Sequence, residues 1–152
     1  MSDALKAILQ HPEFPRGKCW EEAEFSPDWV ILKEGESSND LYQILSGVVR
    51  VNMAVDVTPE QHLESGLMEM TRGDTFGELN LFCVSDRAAS VVALSQTRVI
   101  RIDGVRLTAF MDRYPELGYL LLKDFFVKHA EMLRMAKERL SSLYADKLRQ
   151  YE

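Results

Sequence analysis

Several features that mark membrane, secreted and metal-binding proteins are missing from this 152-residue sequence. No apolar run is long enough to cross a bilayer, and the first residues lack the apolar segment of a signal peptide. The two cysteines, Cys19 and Cys83, do not have the spacing of a metal or redox motif, which fits free thiols in a reducing cytoplasm, although one disulfide between them is also compatible with the sequence. The three histidines, His11, His62 and His129, are far apart, so we expect no metal site. The missing apolar segments and the cysteine usage together lead us to expect a cytoplasmic protein without a membrane partner.

Basic residues are too few for a typical nucleic-acid-binding protein. The chain has 18 Lys and Arg against 24 Asp and Glu, which gives a formal net charge of −6. Residues 1–116 carry a net charge of −8, and residues 117–152 carry a net charge of +2. Because an acidic surface repels a polyanion, we expect no direct nucleic-acid partner, whereas a small phosphate ligand needs only one arginine and a few backbone amides.

Short apolar segments separated by turn residues occupy most of the chain. They predict strands at 29–32, 41–45, 48–53, 67–71, 91–94 and 97–102, while residues 19–25 alternate only loosely between polar and apolar. A hairpin turn is predicted at Ser46-Gly47, and a polar loop at 56–66 around Pro59. Many short strands with turns about every eight to twelve residues favour a mainly β sandwich or barrel. A length of 152 residues with 46% hydrophobic residues is enough for one domain with its own core.

Helical patterns are confined to the two ends of the sequence. A short helix is predicted at 3–9, because Pro12 follows it closely. Asp103 is a suitable N-cap for a second helix, and Pro115 suits the first position of a third. Neither Gly nor Pro occurs in the last 34 residues, so the third helix is expected to run close to the end.

The third helix has mostly apolar residues at heptad spacing. Its a and d positions are Tyr119, Leu122, Phe126, His129, Leu133, Ala136, Leu140 and Leu143. We therefore divide the chain into a β domain with short flanking helices, residues 1–116, and a long helix of the same structural domain, residues 117–152. We predict a homodimer through this helix; the alternative is that the helix only packs on the β domain.

One stretch of mixed chemistry stands out between residues 73 and 90. Gly77 and Glu78 follow a turn, and Arg87 follows a short apolar run. An arginine binds phosphate through its planar guanidinium, the amides of a helical turn add donors, and a carboxylate accepts hydrogen bonds from hydroxyl groups. This combination predicts a site for a small anion that carries hydroxyls; the alternative is an ordinary ion pair between Glu78 and Arg87 beside a loop.

The residues around Glu78 and Arg87 resemble a known motif. Phe76-Gly77-Glu78-Leu79 through Arg87-Ala88-Ala89-Ser90 is similar to the phosphate-binding cassette of cyclic nucleotide-binding domains, with the Glu-to-Arg spacing of protein kinase regulatory subunits. The β segments followed by a long helix that begins with Pro115 resemble catabolite activator proteins. The resemblance implies a double-stranded β-helix, which is a jelly-roll-like β-roll, with a short N-terminal helix and a long C-terminal helix. No DNA-binding domain is expected before Glu152, so the chain would be a stand-alone sensor or a part of a longer product.

The resemblance also implies roles for individual residues. The implied ligand-binding set is Gly77, Glu78, Leu79, Asn80, Arg87, Ala88, Ala89, Ser90 and Met132. Glu78 would accept a hydrogen bond from the ribose 2′-hydroxyl, and Arg87 would pair with the cyclic phosphate. The amides of the neighbouring residues would lie near phosphate or ribose, and Ser90 would donate to the phosphate or satisfy local backbone.

Three of these positions carry finer expectations. Ala88 has no hydroxyl to bond to guanine, so the resemblance favours adenine. Asn80 stands where many family members have Ala or Gly, and would either crowd the phosphate or bond to it. Met132 aligns with an adenine-contacting Thr of catabolite activator proteins, and would cover the base as a lid or pack as an ordinary helix residue. The expected core residues of the cassette are Phe76, Leu79 and Leu81.

The sequence as a whole predicts a cyclic nucleotide sensor. It would bind cAMP or cGMP, with cAMP favoured, and pass the signal through its C-terminal helix to a downstream partner that the sequence does not identify. The alternative is a degenerate domain that serves as a dimerisation or interaction module, or that senses another small effector. An enzyme is not expected, because no second acid, base or metal ligand accompanies Glu78.

Overall fold

Two antiparallel sheets packed face to face form the centre of the molecule. A computed structural model describes residues 1–58, 60–83 and 85–151, with backbone alone at 55–57 and 61–65. In this described part, eight strands form one sheet in the order β1-β8-β3-β6 and a second in the order β2-β7-β4-β5. The strands are β1 (Trp20–Phe25), β2 (Val30–Leu32), β3 (Leu41–Ser46), β4 (Val49–Thr58), β5 (Gln61–Met70), β6 (Thr75–Phe76), β7 (Ser90–Ala93) and β8 (Thr97–Ile102). The predicted β-roll is confirmed.

Strand β8 contributes buried residues to both faces of its sheet, because side chains alternate along a strand. Val99 points between the two sheets, where it packs with Ile44. Ile100 and Ile102 point the other way and pack against the helices. The Tyr42 and Phe76 rings stack between the sheets with their centroids 5.0 Å apart, which joins β3 to β6 just before the cassette.

The prediction of a polar loop at 56–66 is wrong. Strands β4 and β5 pair continuously from Val49 with Met70 to Thr58 with Gln61, apart from two register shifts. Strand β7 pairs with β4 only as far as Asn52, so the hairpin continues beyond the sheet as a two-stranded ribbon. Apolar alternation is the main signal of a strand in a sequence, and residues 56–66 lack a regular alternation, so this segment reads as a loop.

Three helices within the described residues cover the β8 sheet and extend beyond it: α1 (Asp3–Leu9), α2 (Gly104–Arg113) and α3 (Pro115–Arg149). The predicted starting signals are confirmed, since the Asp103 side chain accepts from the Arg106 amide at 3.0 Å and Pro115 opens α3. At 1.5 Å per residue, α3 is about 52 Å long. None of the described helices combines the length and the apolar content needed to cross a membrane.

Only the first part of α3 is buried against the domain. Gly118, Leu121 and Phe125 are buried, and Gly118 approaches α2 so closely that an added Cβ would lie 2.9 Å from Cβ of Met111. The apolar heptad residues are exposed, including Phe126, Leu133, Leu140 and Leu143. The long helix is therefore anchored at its start and presents an apolar seam to solvent.

Candidate functional site

A tight turn after β6 forms the floor of the site. Gly77 has a φ of 90°, and the short 3-10 turn Glu78–Asn80 follows it at once. A Cβ on Gly77 would lie 2.8 Å from the Asp40 carbonyl oxygen and 3.2 Å from Nη1 of Arg87. Glycine is needed here for two reasons, because the backbone is left-handed and because a neighbouring loop and the Arg87 side chain approach it closely.

Arg87 lies under this turn with almost its whole side chain buried. Nη1 donates to the Gly77 carbonyl at 2.8 Å and to Oδ1 of Asn80 at 3.4 Å. Nη2 donates to the Asp40 carbonyl at 2.5 Å, and Nε donates to the Ser38 hydroxyl at 3.0 Å. The guanidinium therefore joins the cassette to residues 38–40, which lead into β3.

All of these acceptors are neutral. Burial lowers the pKa of the Arg87 guanidinium, against smaller opposing effects of Tyr42, Asp40 and Glu78. Within the described residues, no carboxylate forms an ion pair with Arg87, and Glu78 pairs with other groups. The alternative of an ordinary Glu78–Arg87 ion pair is wrong. A buried cation that is held only by neutral groups favours the approach of an anion.

Glu78 is buried and points towards α3. Its Oε1 accepts from Lys128 Nζ at 2.6 Å and lies 3.0 Å from His129 Nε2. Lys128 Nζ also donates to the Thr75 carbonyl and, at 3.2 Å, to the Thr75 hydroxyl. Among the described residues, no side chain or amide donates to Oε2 of Glu78, so one carboxylate oxygen is left for another donor.

Lys128 and His129 were not among the predicted site residues. They lie about fifty positions after Glu78 and reach it only because the start of α3 docks against the domain. His129 was assigned to the dimer seam, and Lys128 carried no distinguishing signal. Neither the spacing nor the residue type of Lys128 and His129 indicates a contact with Glu78.

Asn80 and Ser90 both use their side chains within the protein. Nδ2 of Asn80 donates to the Ser85 carbonyl at 2.7 Å, and its Oδ1 accepts from Arg87. Ser90 Oγ accepts from the Glu34 amide at 2.9 Å. For Ser90, the structure therefore contains the local backbone bond that was one of its two expected roles.

The remaining cassette residues differ in how they are placed. Phe76 and Leu81 are buried as expected, but Leu79 is 65% exposed, so its predicted core position is wrong. A 3-10 turn has three residues per turn, so its side chains point in three directions, and Leu79 faces out while Glu78 and Asn80 face in. Ala88 is exposed, and Ala89 is half-buried beside Arg87.

Met132 is partly buried against the core between the two sheets. This is the packing role that was one of its two expected functions. An open cavity of about 600 Å³ is lined by Glu78 and by residues of the turn and of α3. Its apolar wall is formed by Leu79, Phe82, Tyr119, Leu122 and Phe126.

Residues 22–114 match the family described as "Cyclic nucleotide-binding domain". The chain belongs to this family. The matched range contains Gly77, Glu78 and Arg87, whereas Lys128 and His129 lie outside it. The part of the site that faces α3 is therefore not described by the family match.

Individual relatives agree with this assignment. The chain is 33% identical to Cyclic GMP-binding protein C of Dictyostelium discoideum over 124 residues, which is 80% of this chain and 5% of that protein. It is 29% identical to the CRP-like cAMP-activated global transcriptional regulator of Mycobacterium tuberculosis over 140 residues, which is 92% of this chain and 54% of the regulator. The chain thus spans about half of one of these relatives and a small part of the other.

A solved structure shows the same fold. The Thermus thermophilus Catabolite Activator Protein is similar with a TM-score of 0.65 and 25% sequence identity, covering 82% of this chain and 55% of that one. The chain is therefore a cyclic nucleotide-binding domain related to proteins that are named for cAMP and for cGMP.

Proposed function

We propose that this chain is a cyclic nucleotide sensor that prefers cAMP and reports its occupancy through α3. One observation carries the proposal: Glu78, the carboxylate expected to bind ribose, is held by Lys128 and His129 of α3. Ligand and helix therefore share one carboxylate, so binding at the cassette is coupled to the position of the helix.

The phosphate is assigned to Arg87. The guanidinium is buried and has only neutral partners, so the cyclic phosphate supplies the anion that its surroundings lack. Four of its five N–H groups are used within the protein, and one N–H on Nη2 has no acceptor among the described residues. That N–H, together with the backbone amides of Glu78 and Leu79 at the start of the turn, is available to the phosphate oxygens.

The ribose is assigned to Glu78. Its 2′-hydroxyl donates to Oε2, or displaces the donors on Oε1. In the second case Lys128 loses its charged partner and α3 loses one of its attachments to the turn. The ligand shifts the helix equilibrium only by its difference in affinity between the docked and the released helix.

The base preference and the absence of catalysis are part of the same proposal. Ala88 provides no hydroxyl for guanine, which favours adenine. The cassette binds the phosphate with a cation and the ribose with a carboxylate that is already hydrogen-bonded, an arrangement suited to binding rather than to hydrolysis.

The proposed sensor is a homodimer through α3. The seam residues Phe126, Leu133, Leu140 and Leu143 are exposed in the single chain and repeat at heptad spacing over several turns. An identical helix presents the same repeat, so a second copy of the chain is the partner whose seam matches this one. Tyr119 and Leu122 continue the seam into the apolar cavity beside the cassette.

Calorimetric titration of the whole chain with cAMP and with cGMP tests the proposal. We expect saturable binding of cAMP that is tighter than binding of cGMP. Arg87→Ala should weaken cAMP binding by at least about 100-fold, or about 2.8 kcal/mol, because a desolvated charge contact to the phosphate is lost. Arg98→Ala is the matched control, since Arg98 is half-exposed and pairs with Glu22 on the outer face of the domain.

Arg87 also makes four internal hydrogen bonds, so thermal unfolding must show that each variant is folded. Arg87→Lys keeps the charge and serves as a second, milder variant. If cGMP binds more tightly than cAMP, the adenine preference is wrong. If neither nucleotide binds to folded protein freed of co-purified ligand, the sensor proposal fails, and the alternative of a dimerisation module or another effector takes its place.

A further inference from the structure

The side chain of Asn80 joins two parts of the site. Nδ2 donates to the Ser85 carbonyl at 2.7 Å and lies 3.3 Å from the Ser85 hydroxyl, while Oδ1 accepts from Nη1 of Arg87 at 3.4 Å. The reverse orientation of the amide would place oxygen against the Ser85 carbonyl and N–H groups against a cation. The hydrogen-bond partners therefore fix which way the amide points.

The main chain of Asn80 is hydrogen-bonded as well. Its amide donates to the Gly77 carbonyl at 3.4 Å, and its carbonyl accepts from Nδ2 of Asn39 at 3.4 Å. Asn39 lies between Ser38 and Asp40, the two residues that accept from Nε and Nη2 of Arg87. The backbone and the side chain of Asn80 thus belong to the same set of contacts that surrounds the guanidinium.

Asn80 is only 6% exposed, so its polar atoms are turned into the protein and not into the solvent space above the turn. An alanine or glycine at this position would leave Nη1 with the Gly77 carbonyl alone and would remove the link from the turn to Ser85. An aspartate would place a charge beside Arg87 and compete with a phosphate. An amide is the group that holds the guanidinium and leaves its charge available.

We propose that Asn80 is a positioning residue, which acts through Arg87 and holds its guanidinium in the orientation that receives a phosphate. This inference rests on the proposed function, and it replaces both expectations for Asn80, that it crowds the phosphate or bonds to it. Asn80 raises the affinity through preorganisation, because it orders residues 85–87 before the ligand arrives.

The test is titration of wild-type chain and Asn80→Ala with cAMP, together with a two-dimensional ¹H–¹⁵N spectrum of each ligand-free protein. We expect Asn80→Ala to bind cAMP about tenfold more weakly. We also expect the Arg87 Nε–H signal to shift or to broaden through exchange with water. The missing signal in Arg87→Lys assigns this resonance. Asn52→Ala in β4 is the matched control and should change neither measurement.

The outcomes separate the inference from the proposed function. No binding of cAMP or cGMP by the wild type would overturn both. If the wild type binds and Asn80→Ala binds with equal or higher affinity, only the inference is overturned. Weaker binding with an unchanged Arg87 Nε–H signal would also overturn only the inference, because a loss of loop structure alone does not act through the guanidinium. Weaker binding together with a changed signal supports it.

Discussion

Gly77 is the residue at which the backbone, the neighbouring loop and the binding arginine meet. Its φ of 90° turns the chain so that the Glu78 side chain points to α3, and its missing Cβ leaves room for the Asp40 carbonyl and for Arg87. Gly35 has a similar φ of 84°, but nothing lies within 4 Å of its added Cβ. The two glycines therefore differ in their surroundings and not in their backbone conformation.

Substitution of these glycines by alanine separates backbone strain from steric contact. We expect both variants to lose about 1–2 kcal/mol of the free energy of unfolding, because a left-handed backbone is strained for alanine. Gly77→Ala should lose more than Gly35→Ala, and it alone should weaken cAMP binding, since the added methyl displaces Arg87 or residue 40. Denaturant unfolding and calorimetry measure the two effects. Equal losses and unchanged affinity would show that the close approach at Gly77 does not matter.

Among the described residues, Lys128 makes most of the polar contacts that join α3 to residues 75–78. Its ammonium group contacts Glu78 in the 3-10 turn and both oxygens of Thr75 in β6. The Lys128 side chain is 25% exposed, whereas that of Glu78 is only 4% exposed. Loss of the lysine would therefore leave a buried carboxylate with His129 as its remaining partner.

Lys128→Met tests whether these contacts oppose ligand binding. We expect a loss of about 1–2 kcal/mol in the ligand-free protein, less than for a fully buried pair because water screens the lysine. Amides of α3 around residue 128 should exchange hydrogen faster, and cAMP affinity should rise several-fold if the ligand favours the released helix. Lys137→Met is the control, since Lys137 is exposed on the same helix. Lower cAMP affinity would show instead that Lys128 assists the nucleotide.

At the scale of the whole molecule, the exposed seam of α3 decides the expected assembly. Leu133 is a seam residue and 73% exposed, while Met135, two positions later, is 46% exposed and lies off the seam. We expect Leu133→Glu to convert a dimer into a monomer in sedimentation equilibrium, because it places a charge at the centre of an apolar contact. Met135→Glu should leave the dimer intact. A wild-type chain that is monomeric at high concentration would contradict the proposed dimer.

Predictions from the sequence were most accurate where a short-range signal decides the structure. Asp103 and Pro115 placed the starts of α2 and α3, because capping and the fixed φ of proline act within one turn. Gly77, Glu78 and Arg87 were chosen for their residue types and for their resemblance to a known motif; the structure places Arg87 against the Gly77 carbonyl, and their role in binding stays a prediction. Predictions failed where a paired segment lacks apolar alternation, as in the β4–β5 hairpin, or where a turn was too short for a pattern, as at Leu79.

The sequence by itself determined where α2 and α3 begin, because capping and the fixed φ of proline act within one turn, and its resemblance to a known family indicated the β-roll and the cassette. Only the tertiary structure decided what those cassette residues contact. Arg87 is surrounded by residues 38–40 and Asn80, and Glu78 is held by Lys128 and His129, which are about fifty positions away. Such contacts form only when the elements of the fold pack together. The apolar residues that direct this packing do not indicate which polar side chains it brings together.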